Sequence, residues 1–153
     1  MIYILSGPIR SGKTSALLDW ASQADVEGVL TPDGLGSRYF KDLTTKTTYH
    51  MEAVGTEYSI AVGKFKFSKD SFEKAEKSLL QTPMSKYKVI DEIGKLEVKG
   101  EGFHDVLVEI LEHQLYREHL VLVVREELLQ VAQEKFGLVD AEVISKEDLL
   151  QLV

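Results

Sequence analysis

The sequence predicts one α/β domain, residues 1–153, in which a mainly parallel sheet is covered by helices on both faces and extended by an antiparallel hairpin. Short apolar runs alternate with amphipathic segments along most of the 153 residues, the pattern of strands joined by crossover helices. Residues 120–124 are all apolar, as in a strand buried on both faces. Two segments between residues 38 and 53 are rich in Thr, Tyr and Phe, which favours a hairpin.

The N-terminal half contains the irregular part of the predicted fold. A strand at 2–5 leads through a glycine-rich turn into a helix over 13–23 with one apolar face. A second strand covers 26–31 and stops at a Thr-Pro-Asp-Gly turn. The hairpin pairs 38–43 with 47–53. Residues 59–67 form either another strand or part of an extended lobe.

The C-terminal half alternates regularly. A helix is predicted to begin at Asp70, an N-terminal signal together with Glu73, and its apolar stripe runs to about residue 81. The remaining segments follow the same alternation, with apolar runs read as strands and amphipathic runs as helices. They are a strand at 87–90, a helix over 102–116, a strand at 120–124, a helix over 126–136, a strand at 139–144 and a helix over 146–152.

The composition excludes several classes of protein. Because the chain has no cysteine, disulfides, iron–sulfur clusters and thiolate zinc sites are excluded. No apolar run is long enough to cross a bilayer, and the first strand is too short for a signal peptide, so a cytoplasmic protein is expected. The net charge of −7 without a basic tract disfavours nucleic acid as the main ligand. No sequence feature specifies a protein partner.

The turn after the first strand carries a phosphate-binding motif. Residues 7–14 read G-x-x-x-x-G-K-T, the spacing at which backbone N–H groups surround a phosphate. Lys13 is expected to reach the β- and γ-phosphates, and the Thr14 hydroxyl to bind Mg²⁺. The alternative, a structural glycine-rich turn, does not require Lys-Thr at the helix start. The predicted nucleotide-binding residues are Gly7, Pro8, Ile9, Arg10, Ser11, Gly12, Lys13, Thr14 and Ser15.

Two acidic residues supply the second half of the predicted site. Asp91 and Glu92 follow the buried strand at 87–90, which is the Walker B arrangement when such a strand lies beside the loop. Asp91 is then expected to hold Mg²⁺ through a water molecule opposite Thr14, and Glu92 to activate the attacking water. The alternative is that the two acids mark the polar end of a strand or cap a turn. The predicted catalytic residues are Glu92 and Lys13.

Several segments resemble one family. Residues 91–97 read D-E-I-G-K-L-E and resemble the D-E-I-G-K-M-E signature of the THEP1-type nucleoside triphosphatases, a family of small P-loop proteins. The segments at 30–32 and 36–42, and those at 62–65 and 71–73, are similar to the family in the same order. The resemblance covers nearly the whole chain and is specific at the loop and at D-E-I-G-K.

The resemblance implies a RecA-like P-loop core built as a three-layer sandwich. It also implies Mg²⁺-dependent hydrolysis of ATP, GTP and other nucleoside triphosphates with little choice of base. By position it assigns Lys13 and Thr14 to phosphate and metal, Asp91 to the metal and Glu92 to water. The family has an Asn-Arg pair after a Thr near the last strand, where this chain has I-S-K-E-D at 144–148. Any role of that pair in base contact or closure is therefore not carried over.

Four further cationic side chains are candidates for contact with the nucleotide, and each has two interpretations. Arg10, inside the loop, either stabilises transition-state charge as an internal arginine finger or is a solvated side chain. Arg125 follows a central strand at the ligand-binding edge, or pairs with a neighbouring Glu at a helix start. Lys95 approaches the phosphates or pairs with Glu97. Arg38, on the hairpin, covers the nucleotide or packs across strands, and packing is the favoured interpretation.

Two other functions use the same loop. A small-molecule kinase would transfer the phosphoryl group to a second substrate. Kinases of this size carry an arginine-rich lid, however, and the chain after the third strand of the core offers only Arg117 and Arg125. A nucleotide-gated switch or adaptor would turn over slowly and act through a protein partner. Phosphate release without an added acceptor separates a hydrolase from a kinase, and negligible turnover would mark a switch.

Overall fold

A parallel sheet with an antiparallel extension at one edge forms the centre of the molecule. The computed structural model describes residues 1–8, 11–34, 37–52, 59–62 and 65–152. Within these residues, neighbouring parallel strands follow one another across the sheet in a fixed order. That order is β10 (Glu142–Ile144), β1 (Ile2–Gly7), β9 (His119–Arg125), β8 (Tyr87–Ile93) and β2 (Val26–Leu30).

The extension begins at β2, where the predicted hairpin joins the sheet. β4 (Ser37–Asp42) pairs antiparallel with β2, and it also pairs with β3 (Asp33–Gly34) and β5 (Thr47–His50). Residues 59–67, predicted as one strand or part of a lobe, contribute to a separate two-stranded ribbon. Its strands are β6 (Ser59–Val62) and β7 (Phe65–Ser68).

Helices cover both faces of the sheet, so the predicted three-layer α/β sandwich is confirmed. The side chains of β1 alternate between the two cores, as expected for a strand. Ile4 packs in one core with Phe72 and Leu107, whereas Leu5 packs in the other with Leu17. The helices are α1 (Lys13–Ala21), α2 (Lys69–Leu79), α3 (Lys95–Val98), α4 (His104–His113), α5 (Leu129–Phe136) and α6 (Lys146–Leu149).

Several predicted boundaries were wrong for local reasons. α2 begins at Lys69 because Ser68, rather than Asp70, caps it: the Ser68 hydroxyl accepts a hydrogen bond from the Ser71 N–H at 3.2 Å. β10 is shorter than predicted because a turn, closed by the Ala141 N–H on the Leu138 carbonyl at 3.0 Å, precedes it. The last two helices also differ from the prediction, since α5 begins later and α6 ends earlier than the sequence pattern indicates.

The first turn of the predicted helix over 126–136 is a 3₁₀ turn, Glu126–Leu128. α6 ends at Leu149, and α4 ends at His113 because Gln114 adopts a left-handed conformation with φ 51°. None of the described helices reaches the length and apolarity that crossing a bilayer requires.

Candidate active site

The strand order brings the two predicted motifs to one edge of the sheet. Parallel strands end on the same side, which is where open α/β sheets bind ligands. β1 ends in the glycine-rich loop, and β8 ends in the acidic segment, since that strand continues to Ile93 rather than stopping at residue 90. β9 lies between them. Its last residue, Arg125, is in register with Gly7, the first residue of the loop.

The loop has the backbone that its glycine and lysine require. Gly12, at the N-cap of α1, has φ +87°, a left-handed conformation that favours glycine. The Lys13 side chain is buried, and its ammonium donates to the carbonyl oxygens of Gly7 at 3.1 Å and Pro8 at 2.7 Å. Lys13, at the start of α1, therefore connects the end of the loop back to the end of β1. The predictions for Ile9 and Arg10 lie outside the described residues.

Thr14 and Asp91 join the two motifs directly. The Thr14 hydroxyl donates to Asp91 Oδ2 at 3.4 Å across 77 residues of sequence. The Thr31 N–H donates to the same oxygen at 3.2 Å. Asp91 is buried, and burial, followed by the nearby Glu92 charge, raises its pKa to about 6 against the opposing hydrogen bonds of Thr31 and Thr14.

The acidic pair extends into an ion pair with the neighbouring strand. Arg125 lies 3.3 Å from Glu92 Oε1, and both side chains are largely buried, with 17% and 24% of their surfaces exposed. A second guanidinium nitrogen is 4.0 Å from Glu127, whose side chain is 52% exposed. Arg125 thus lies at the carboxyl end of a central strand and pairs with a neighbouring acid, as one interpretation had it, while its contact with a nucleotide stays a prediction. The contact with Glu92 was not predicted.

Glu97 secures the turn that follows the acidic pair. Its carboxylate is buried and accepts hydrogen bonds from the Gly94 N–H at 2.8 Å and from the Phe103 N–H at 2.8 Å. Burial raises the pKa of Glu97 to about 7, although these two N–H groups oppose the shift. The carboxylate turns inward to these backbone groups, which argues against the pairing of Glu97 with Lys95, one of the two interpretations of that exposed lysine.

Lys146 reaches the loop from the opposite end of the sequence. Its ammonium donates to the Ser11 carbonyl at 2.6 Å across 135 residues. The preceding Ser145 caps α6: its hydroxyl accepts from the Asp148 N–H at 3.2 Å, while Asp148 accepts from the Ser145 N–H at 3.1 Å. The S-x-x-D spacing is a visible capping signal, but no sequence signal indicates that Lys146 contacts the loop.

Arg38 lies far from this contact network. Arg38 is on β4, which β2, β8 and β9 separate from β1. Four strand spacings of about 4.8 Å place it about 19 Å along the sheet from the loop's strand. Ser15 is exposed near the start of α1. Roles for Arg38, Ser15 and Lys95 in nucleotide binding stay predictions.

Comparisons with known proteins agree with this arrangement. A family model described as NTPase matches residues 2–145. The fold is similar to the crystal structure of THEP1 from the hyperthermophile Aquifex aeolicus, with a TM-score of 0.75, 20% identity and coverage of 99% of this chain and 98% of that one. It is also similar to the solution structure of a human cancer-related nucleoside triphosphatase, with a TM-score of 0.70, 22% identity and coverage of 98% and 93%. No curated protein sequence matches the chain.

Proposed function

This chain belongs to the NTPase family of nucleotide-hydrolysing P-loop proteins, and we propose that it hydrolyses ATP, GTP and other nucleoside triphosphates to the diphosphate and phosphate. One observation carries this proposal. The hydrogen bond between Thr14 and Asp91, at 3.4 Å, joins the phosphate loop to the acidic segment and so places Glu92 at the same edge. The geometry supports hydrolysis rather than binding alone because a candidate base accompanies the phosphate loop.

The residues at this edge suit Mg²⁺. Thr14 and Asp91 offer hydroxyl and carboxylate oxygens, the ligand type that Mg²⁺ prefers, and Mg²⁺ commonly takes one or two protein ligands beside phosphate and water. Among the described residues, no three His, Cys, Asp or Glu side chains form a denser metal cluster. A buried carboxylate whose pKa is raised is stabilised in its ionised form by a cation. Bound there, Mg²⁺ would neutralise charge on the β- and γ-phosphate oxygens.

Glu92 is the proposed base. Its carboxylate accepts a proton from water as the water oxygen bonds to the γ-phosphorus. The bond from that phosphorus to the bridging oxygen breaks, and its electron pair leaves with the nucleoside diphosphate. Lys13 and the loop N–H groups stabilise the charge on the transferring phosphoryl group. This chemistry involves only the triphosphate group and does not depend on the identity of the nucleobase. Hydrolysis of several nucleotides is therefore expected.

The test is phosphate release from each of the four common ribonucleoside triphosphates, with and without Mg²⁺ and with no added acceptor. Lys13→Ala is expected to abolish nucleotide binding or turnover. Glu92→Gln should keep binding but lower the turnover number about 100-fold or more, the usual contribution of a general base.

Glu109→Gln is the matched control, since Glu109 is an exposed carboxylate on α4; its turnover should equal that of the unmodified protein. Hydrolysis by Glu92→Gln at the original rate would refute the assignment of the base. Absence of hydrolysis with every nucleotide would refute the proposed activity.

A further inference from the structure

We propose that Arg125 is a positioning residue that restrains Glu92 and moves toward the γ-phosphate when a triphosphate binds. This inference rests on the proposed function and deepens it, because it links the release of the catalytic base to the presence of the reacting phosphate. A diphosphate has no γ-phosphate and would leave Arg125 on Glu92. The protein would thereby distinguish its substrate from its product.

The position of Arg125 in the sheet provides the first argument. β9 lies between β1, which ends in the loop, and β8, which ends in the acidic segment. Arg125 is the in-register partner of Gly7, about 4.8 Å away at the usual strand spacing. On the other side, Val124 is the partner of Ile93, the residue after Glu92. One side chain at this point is within reach of both halves of the site.

The contact itself provides the second argument. Arg125 approaches Glu92 Oε1 at 3.3 Å, and both side chains are largely buried, at 17% and 24% exposure. An arginine in this environment is strongly attracted to any anion that it can reach. The oxygens of a γ-phosphate carry more charge than a carboxylate and match the guanidinium fork. Incoming triphosphate therefore competes with Glu92 for the same cation.

Competition makes a prediction that simple proximity does not. If Glu92 holds Arg125 back, neutralising Glu92 frees the arginine for the phosphate. Glu92→Gln should then bind a non-hydrolysable ATP analogue about fivefold to tenfold more tightly, in line with the net contribution of one hydrogen bond. ADP affinity should change less than twofold. In the Arg125→Gln background the same Glu92→Gln change should bring no gain.

The experiment is this double-mutant cycle, measured as equilibrium dissociation constants for the ATP analogue and for ADP, both with Mg²⁺. Arg125→Gln alone should lower the preference for the analogue over ADP about tenfold, and Arg125→Lys should restore part of that preference by keeping the positive charge. Glu109→Gln, which removes an exposed carboxylate on α4, should leave both constants unchanged. Thermal unfolding of each variant checks that it is folded.

Three results would overturn the inference. One is an unchanged affinity of Glu92→Gln for the analogue. Another is a gain that persists without Arg125, since it would reflect only the removal of a negative charge near phosphate. The third is an equal gain for ADP. If any of these results is found and the unmodified protein still hydrolyses triphosphates, only the role of Arg125 is refuted. If the unmodified protein binds no triphosphate, the proposed function is refuted as well.

Discussion

The pH dependence of stability should reveal the buried carboxyl group of Glu97. Burial raises its pKa to about 7, against an ordinary value of 4.5. Between these two pH values the folded protein therefore binds more protons than the unfolded chain, and stability falls as the pH rises. The contribution of this group is fully present below pH 4.5 and is lost as the pH passes through about 7.

The magnitude follows from the same two values. Multiplying the difference between about 7 and 4.5 by about 1.4 kcal/mol per pKa unit gives a total loss of about 3–4 kcal/mol, and most of it falls between pH 4.5 and pH 8. Glu97→Gln removes the titration and resembles the protonated carboxyl in shape. The stability of the variant relative to the original protein should thus improve by about 3 kcal/mol from pH 4.5 to pH 8.

Urea unfolding between pH 4.5 and pH 8, without nucleotide or metal, measures this difference. Glu101→Gln is the control because Glu101 is an exposed acid with 48% of its side chain accessible. Its stability should run parallel to that of the unmodified protein. A constant difference between Glu97→Gln and the original protein would refute the reasoning. A difference that moves against the variant as the pH rises would show instead that the Gly94 and Phe103 N–H groups outweigh burial.

Two further predictions concern single contacts. Lys146→Met removes the hydrogen bond to the Ser11 carbonyl and should weaken binding of ATP with Mg²⁺ about fivefold. Lys99→Met, at an exposed lysine, is the control and should leave the affinity unchanged. Equal affinities for both variants would show that the Ser11 contact is irrelevant to binding. Gly28→Ala should lower the free energy of unfolding by about 3 kcal/mol or more, because an added Cβ at φ +119° would clash with the Val89 carbonyl oxygen. Gly100→Ala is also at positive φ, but its added Cβ would meet no other described part of the chain within 4 Å. It should cost only about 1–2 kcal/mol, and similar losses for the two variants in urea unfolding would contradict the steric argument.

Most of the fold class was predictable because it depends on contiguous residues. The apolar runs at β1, β8 and β9 and the amphipathic helices between them report burial through their own spacing. The glycine and lysine positions of the loop likewise encode its backbone, since Gly12 needs a left-handed conformation. The family resemblance, carried by residues 91–97, was confirmed by the NTPase family match over residues 2–145.

Contiguous residues alone predict that a phosphate loop precedes the first helix and that two acids end a buried strand. Which side chains meet there depends on how the strands are arranged in the folded protein. Arg125 contacts Glu92 because β9 lies between β1 and β8, and Lys146 contacts Ser11 across 135 residues. Hydrophobic periodicity specifies which segments are buried but not the order of strands in a sheet. Contacts between neighbouring strands and loops depend on that order, so they appear only once the chain is folded.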